Sequence, residues 1–188
     1  AIRYEDAQGG HELPAEAVVL AIGHSARDTF ESLLAGGVTF VQKPFSIGAR
    51  IEHPQSLINA SQYGAAAGHP ALGAADYKLA LHLPSGRMCP GGTVVAAASE
   101  PESVVTNGMS CYARDGINAN SALLVGVGPE DFGSEHPLAG MFLQREIERR
   151  AFILGGRSGK APCQTVGDLL AGRASVQLGS VKPSYQPG

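Results

Sequence analysis

"AVVLAIGHSARDTFESLLAGG", residues 17–37, decides how the rest of the chain is read. Ala17-Val18-Val19-Leu20-Ala21-Ile22 is an unbroken apolar run, the pattern of a strand covered on both faces. Gly23 interrupts it. Ser25 is a suitable helix N-cap, and Asp28, three residues on, places a carboxylate at the positive end of the helix dipole. Ala26, Phe30, Leu33 and Leu34 recur at i, i+4, i+7 and i+8, which predicts a single apolar helix stripe, and Gly36-Gly37 predicts its end. A strand entering a helix N-terminus through glycine leaves backbone N–H groups pointing outward, which suits a phosphate or pyrophosphate. Such turns also occur as plain architecture, so these residues alone leave both readings open.

Working outward, Ile2-Arg3-Tyr4 alternates, Gln8-Gly9-Gly10 turns, and a return strand runs towards Leu20, a predicted hairpin. Downstream, Val38–Val41 and Ser46–Ile51 are two short strand candidates split by Lys43-Pro44. Pro54–Tyr63 predicts a short helix with proline at its first position, and "GAAAGHPALGAADY" (64–77) predicts a loop. Further strands are expected at Tyr77–Leu83, Thr93–Ala98, Ser103–Thr106 and Ala122–Val127. A long helix is expected to open at Pro137, carry the stripe Ala139, Leu143, Ile147, Ala151 and Leu154, and stop at Gly155-Gly156. Its outer face offers Glu146 with Arg150 at i, i+4, a surface pair. A shorter helix is expected over Thr165–Ala171. One βα unit followed by strands and then helices predicts an α+β fold: a strand-rich domain with helices, attached to part of an α/β domain. The first residue is Ala, inside the predicted hairpin, and "KPSYQPG" (182–188) adds no closing element. The expectation is a piece of a longer protein.

The 188 residues are 44% hydrophobic and 16% charged, globular values, with a net charge of −3 and no basic cluster to meet nucleic acid directly. No apolar run approaches the length that spans a membrane. The odd, scattered cysteines Cys89, Cys111 and Cys163 fit a reduced, cytoplasmic setting, and no CxxC or HExxH spacing suggests a protein-bound metal.

Three stretches could carry chemistry. In "MCPGG" (88–92), Pro90, Gly91 and Gly92 would let backbone approach a flat ligand, and Cys89 could be redox-active or a bystander thiol before a buried strand. In "ARIEHP" (49–54), Arg50 and Glu52 share a face if the strand continues, where they could pair with each other. His53 could act as a general acid or base, or simply occupy a turn. In "TNGMSCYARDGINANSALLV" (106–125), Asn107, Arg114, Asn118 and Asn120 are candidate polar contacts in residues that equally stabilise turns.

Together, "AVVLAIGHSARDTFE", "KPFSIGARIEHP", "LGAADYKLA", "MCPGGTVVAAASE", "VVTNGMS", "ARDGINANSALLV", "HPLAGMFLQREIERRAF" and "VGDLLAGRASVQLGSVKPSY" resemble the middle of the bacterial uncharacterised FAD-dependent dehydrogenases. These belong to the two-dinucleotide-binding-domain flavoproteins, and the resemblance runs nearly end to end. It implies that residues 1–37 are a remnant of a discontinuous FAD-binding domain and residues 38–188 an inserted substrate or cap domain. Ala21, Ile22, Gly23, His24 and Ser25 would then run beside the cofactor, with Pro90, Gly91 and Gly92 near the flavin ring. His53, Arg50 and Cys89 are the catalytic candidates, with no role fixed. The chain has no GxGxxG, so the phosphate-binding half of the site is expected elsewhere in the parent protein, and this piece alone should bind FAD weakly or not at all. "HLPSGRMCPGG" (82–92) is abrupt for the family pattern, which implies a loop that is shortened or partly missing.

The resemblance implies a parent FAD-dependent oxidoreductase whose flavin carries the hydride chemistry. The expected partners are a small-molecule substrate and the rest of the FAD-binding domain. Two alternatives are a non-catalytic interaction or regulatory module and, against the mildly acidic composition, a flavin-dependent enzyme that modifies nucleic acid.

Overall fold

The computed structural model describes residues 1–78 and 88–188, which divide into two compact units, Ala1–Val38 and Thr39–Gly188. In the first, β1 (Ile2–Asp6) pairs antiparallel with β2 (Gly9–Leu13), and the Gln8 N–H donates to Asp6 Oδ1 at 2.8 Å within the turn. Gly9 and Gly10 belong to β2 rather than to the turn, and the return strand ends at Leu13, where Pro14 removes the next donor. Tyr4 stacks on His11 at 5.0 Å, and Arg3 pairs with Glu12 across the ladder.

The apolar run Ala17–Ile22 belongs to no helix or strand and joins no sheet among the described residues, and Val19 is 89% exposed. This corrects the expected strand. A strand covered on both faces needs neighbours to take its N–H and C=O groups, and neither unit supplies one to this run. The helix α1 (Arg27–Ala35) follows, capped by Ala26 rather than by Ser25, with Asp28 in its first turn. It ends as the double glycine predicts: Val38 N–H donates to the Leu33 carbonyl and Gly37 N–H to that of Leu34.

The second unit is organised by two long strands, β3 (Phe45–Pro54) and a later one, Asn118–Val127, paired antiparallel over ten residues from Phe45↔Val127 to Pro54↔Asn118. The pairing extends both expected strands into polar sequence, because the polar residues there find partners on one face. No strand forms at Val38–Val41. Gln42 instead fixes this segment by donating to the Ser134 and His136 carbonyls at 2.9 and 2.7 Å. Pro54 is the last residue of β3 and the N-cap, not the first residue, of α2 (Gln55–Tyr63). The strand expected at Tyr77–Leu83 and the loop before Met88 fall, from residue 79 to 87, outside the described residues.

Three short strands come next: β4 (Met88–Cys89), β5 (Gly92–Ala96) and β6 (Thr106–Ser110), followed by the long strand Asn118–Val127, here β7. β4 adds to the free edge of β7, giving the sheet order β3-β7-β4, while β5 and β6 form a hairpin of their own. β6 lies downstream of the expected Ser103–Thr106. The Val104 N–H is taken by the Glu148 carbonyl and the Val105 carbonyl by Ala97, so that ladder pairing starts only at Thr106.

The helix α3 (Ala139–Leu154) begins two residues after Pro137, with Leu138 as N-cap and the His136 carbonyl accepting from Ala139. Gly140 lets its first turn rest on the stacked Phe45–Phe132 pair, whose centroids are 5.3 Å apart. Gly155-Gly156 closes it. The short α4 (Val166–Leu170) takes Thr165 as N-cap. The apolar core is small, with Met88, Val94, Val104, Ala119, Phe132 and Leu138 buried, and Asn120 at its centre is fully buried. The mixture of antiparallel sheets and few helices is the expected α+β class.

Candidate functional site

Register places Arg50, Glu52, Asn118, Asn120 and Cys89 on one face of the central sheet, because Glu52 and Cys89 both sit opposite Asn120, one on each side. Arg50 and Glu52 share that face, as expected, but each is engaged elsewhere. Arg50 Nη1 donates to Asn120 Oδ1 at 3.0 Å and Nη2 to Asn107 Oδ1 at 2.7 Å. Asn107 comes from β6, which approaches closely because residue 108 is glycine: a Cβ there would lie 2.1 Å from Asn120 Oδ1. The second amide atom of Asn120, Nδ2, is buried without an acceptor.

Glu52 accepts from the Ser184 N–H and hydroxyl and from Asn118 Nδ2, while Asn118 also donates to the Lys182 carbonyl. The Val94 N–H donates to Ser184 Oγ. Residues 182–188 are thereby tied to the sheet by a carboxylate, and Tyr185 adds a bond to the Gly159 carbonyl. Burial, reinforced by the negative charge of Glu52, raises the pKa of the Cys163 thiol and keeps it protonated.

His53 lies on the opposite face. Its ring packs against Tyr77 with centroids 5.7 Å apart, and its Nε2 is buried with no partner. Burial lowers its pKa, and the Glu52 charge opposes this only in part. Burial thus disfavours the charged form of His53, which the sheet separates from Arg50.

The Cys89–Gly92 segment is held by its own chain. Pro90, Gly91 and Gly92 are buried. Gly91 N–H donates to Gln55 Oε1 at 2.7 Å, the Gly91 carbonyl accepts from Gly116, and the Pro90 carbonyl accepts from Ser110 Oγ. Gly91 has φ +51°, and a Cβ on it would lie 1.9 Å from the Arg114 carbonyl oxygen, which is Arg114's part in the region. Gln55, buried at the start of α2, completes the arrangement by donating from Nε2 to the Ala75 carbonyl and to Asn59 Oδ1. Sequence reasoning passed over Gln55. A glutamine after Pro54 carries no signal until the loop it holds is seen.

Ala21–Ser25 belong to the first unit. At the α1 N-terminus the Arg27 N–H bonds to the Ser25 carbonyl and the Thr29 N–H to Asp28 Oδ1. Two of the N–H groups at this end are thus taken within the chain, beside the carboxylate of Asp28. The described residues also form two surface clefts, of about 310 Å³ between residues 100–103 and α3, and about 300 Å³ between residues 68–74 and 113–116. No group of three or more metal-ligating side chains occurs among the described residues, and no helix there is long and apolar enough to cross a membrane.

Residues 44–188 match the family described as "FAD-dependent protein, C-terminal domain-like", and the chain belongs to it. An uncharacterized protein of Clostridium beijerinckii is 54% identical over 186 residues, which is 95% of this chain and 35% of the relative. The chain therefore spans about a third of that relative's length. This is a domain from an FAD-dependent protein family.

Proposed function

We propose that residues 38–188 are the inserted substrate or cap domain of a cytoplasmic FAD-dependent oxidoreductase and that residues 1–37 belong to its FAD-binding domain. The observation that carries the reading is the family match over residues 44–188. The exposed apolar run Ala17–Ile22 supports it as well: such a run fits a strand whose neighbours come from elsewhere in the parent.

A bound flavin would supply hydride or electron transfer, leaving binding, orientation and water exclusion to the protein. Ala21–Ser25 would pass the cofactor as backbone. Pro90, Gly91 and Gly92 have their polar groups committed within the chain, so towards a flavin ring they act by shape and by holding β4 and β5 in place. Arg50 keeps N–H donors available on the face it shares with Cys89. His53, on the other face, can hold a proton only for chemistry on that side.

The test is the visible absorption spectrum of the purified full-length parent, before and after addition of FAD. Oxidised-flavin bands that bleach on reduction are the expected result. A colourless parent that cannot be reconstituted overturns the flavoenzyme reading.

A further inference from the structure

Among the described residues Asn120 is the largest fully buried side chain, and its Nδ2 finds no acceptor there. Buried amides are ordinarily satisfied at both ends, so an orphan of this kind marks a missing acceptor. The other end of the same amide holds Arg50 Nη1. Arg50 uses only two of the five N–H donors of a guanidinium, both on amide oxygens, and no carboxylate pairs with it among the described residues. Arg50 and Asn107 reach the surface, whereas Asn120 lies beneath them. Arg50 is half-buried and Asn107 exposed, so the outer edge of the guanidinium is within reach of solvent above the buried amide, and among the described residues the unsatisfied groups of Arg50 and Asn120 are donors.

We propose that Arg50, oriented by Asn107 and backed by Asn120, binds the carboxylate of a small molecule on this face of the sheet. A planar, two-oxygen acceptor matches the guanidinium fork. The charge balance selects a monoanion: among the described residues Arg50 is the cation that the register puts on this face, and Glu52 lies two residues away on the same face, which disfavours a dianion such as phosphate. The oxygens of Glu52 are held by Ser184 and Asn118, so it does not itself occupy the fork. Gly108 keeps the pair rigid by letting β6 close on it. That this carboxylate belongs to a flavoenzyme substrate rests on the function proposed above. The binding site does not.

The experiment is protection of Arg50 from phenylglyoxal in the intact parent protein, read by mass spectrometry on the peptide that contains it, with acetate, its neutral isostere acetamide, and inorganic phosphate as probes. Acetate should slow labelling at Arg50 by about tenfold at about ten times its dissociation constant, while labelling of the exposed Arg150 is unchanged. Acetamide and phosphate should give no such protection. Asn120→Asp, an isosteric change that removes the unpartnered donor and sets a carboxylate against Arg50 from within, should abolish protection by acetate. Asn107→Ala, at an exposed position, should weaken it. Equal protection by acetamide or phosphate overturns the carboxylate assignment, and undiminished protection in Asn120→Asp overturns the role of Asn120. Failure of phenylglyoxal to label Arg50 at all shows that no ligand reaches its guanidinium and overturns the proposal. A colourless parent with a protected Arg50 keeps this site and removes only the flavoenzyme reading.

Discussion

Truncating Gln55 to alanine should loosen the Met88–Gly92 segment, which it holds through the Gly91 N–H. The side chain is buried and joins three parts of the chain: it accepts from Gly91 N–H and donates to the Ala75 carbonyl and to Asn59 Oδ1. Alanine leaves the Gly91 N–H and the Ala75 carbonyl buried with no partner, at about 1–3 kcal/mol each. Even the low end, about 2 kcal/mol in total, favours local opening by about thirtyfold. Hydrogen–deuterium exchange of peptides covering residues 88–96, followed by mass spectrometry, should show protection falling by that factor. Gln62→Ala, at an exposed position of the same helix, serves as the control and should leave those peptides unchanged. If Gln55→Ala and Gln62→Ala exchange alike, Gln55 does not hold the loop.

Two further substitutions separate conformational strain from collision. Gly23 and Gly91 both have positive φ, but a Cβ at 23 meets nothing within 4 Å, whereas one at 91 meets the Arg114 carbonyl. Gly23→Ala should cost about 1 kcal/mol and Gly91→Ala more than ~3 kcal/mol, read from urea midpoints, and equal costs would refute the distinction. His53 gives a pH signature. Its folded pKa lies below the ordinary 6.5, so as pH falls below about 6.5 the unfolded chain takes up a proton that the folded chain resists. Stability should therefore decline on the acid side of that value, and His53→Gln should flatten the decline. Parallel pH profiles for the two proteins would show that His53 contributes nothing to it.

Helices and the apolar parts of the sheet were legible in the sequence because their periodicity is local. The stripe of α3 and the double-glycine stops after Leu34 and Leu154 announce themselves within a few turns. The Ala17–Ile22 run misleads for the same reason: its pattern is that of a covered strand, while pairing depends on neighbours that no local pattern contains. Asn107, Asn118 and Asn120 read equally as turn residues and as polar contacts, and they lie in strands, where each meets Arg50 or Glu52 from far away in sequence. The site was legible as a set of candidates and not as a geometry. Arg50, Asn107 and Asn120 meet, His53 turns out to lie across the sheet from them, and Gln55 gave no sign at all.

The ladder between β3 and β7 also sets an order of events in folding. It cannot close until residues 55–117 have been gathered into the loop between its ends, so most of its contacts are distant in sequence and slow to find. The β5–β6 hairpin encloses only residues 97–105 and can form early, presenting Gly108 and Asn107 before Arg50 arrives. Val94→Ala, in the hairpin, should then slow refolding, whereas Leu124→Ala, in the late ladder, should mainly hasten unfolding. The reverse assignment of rates would place the long ladder in the nucleus. A chain built in this order spends its folding time with β7 unpaired, an apolar strand with two open edges, and is most exposed to aggregation just before its central polar cluster locks.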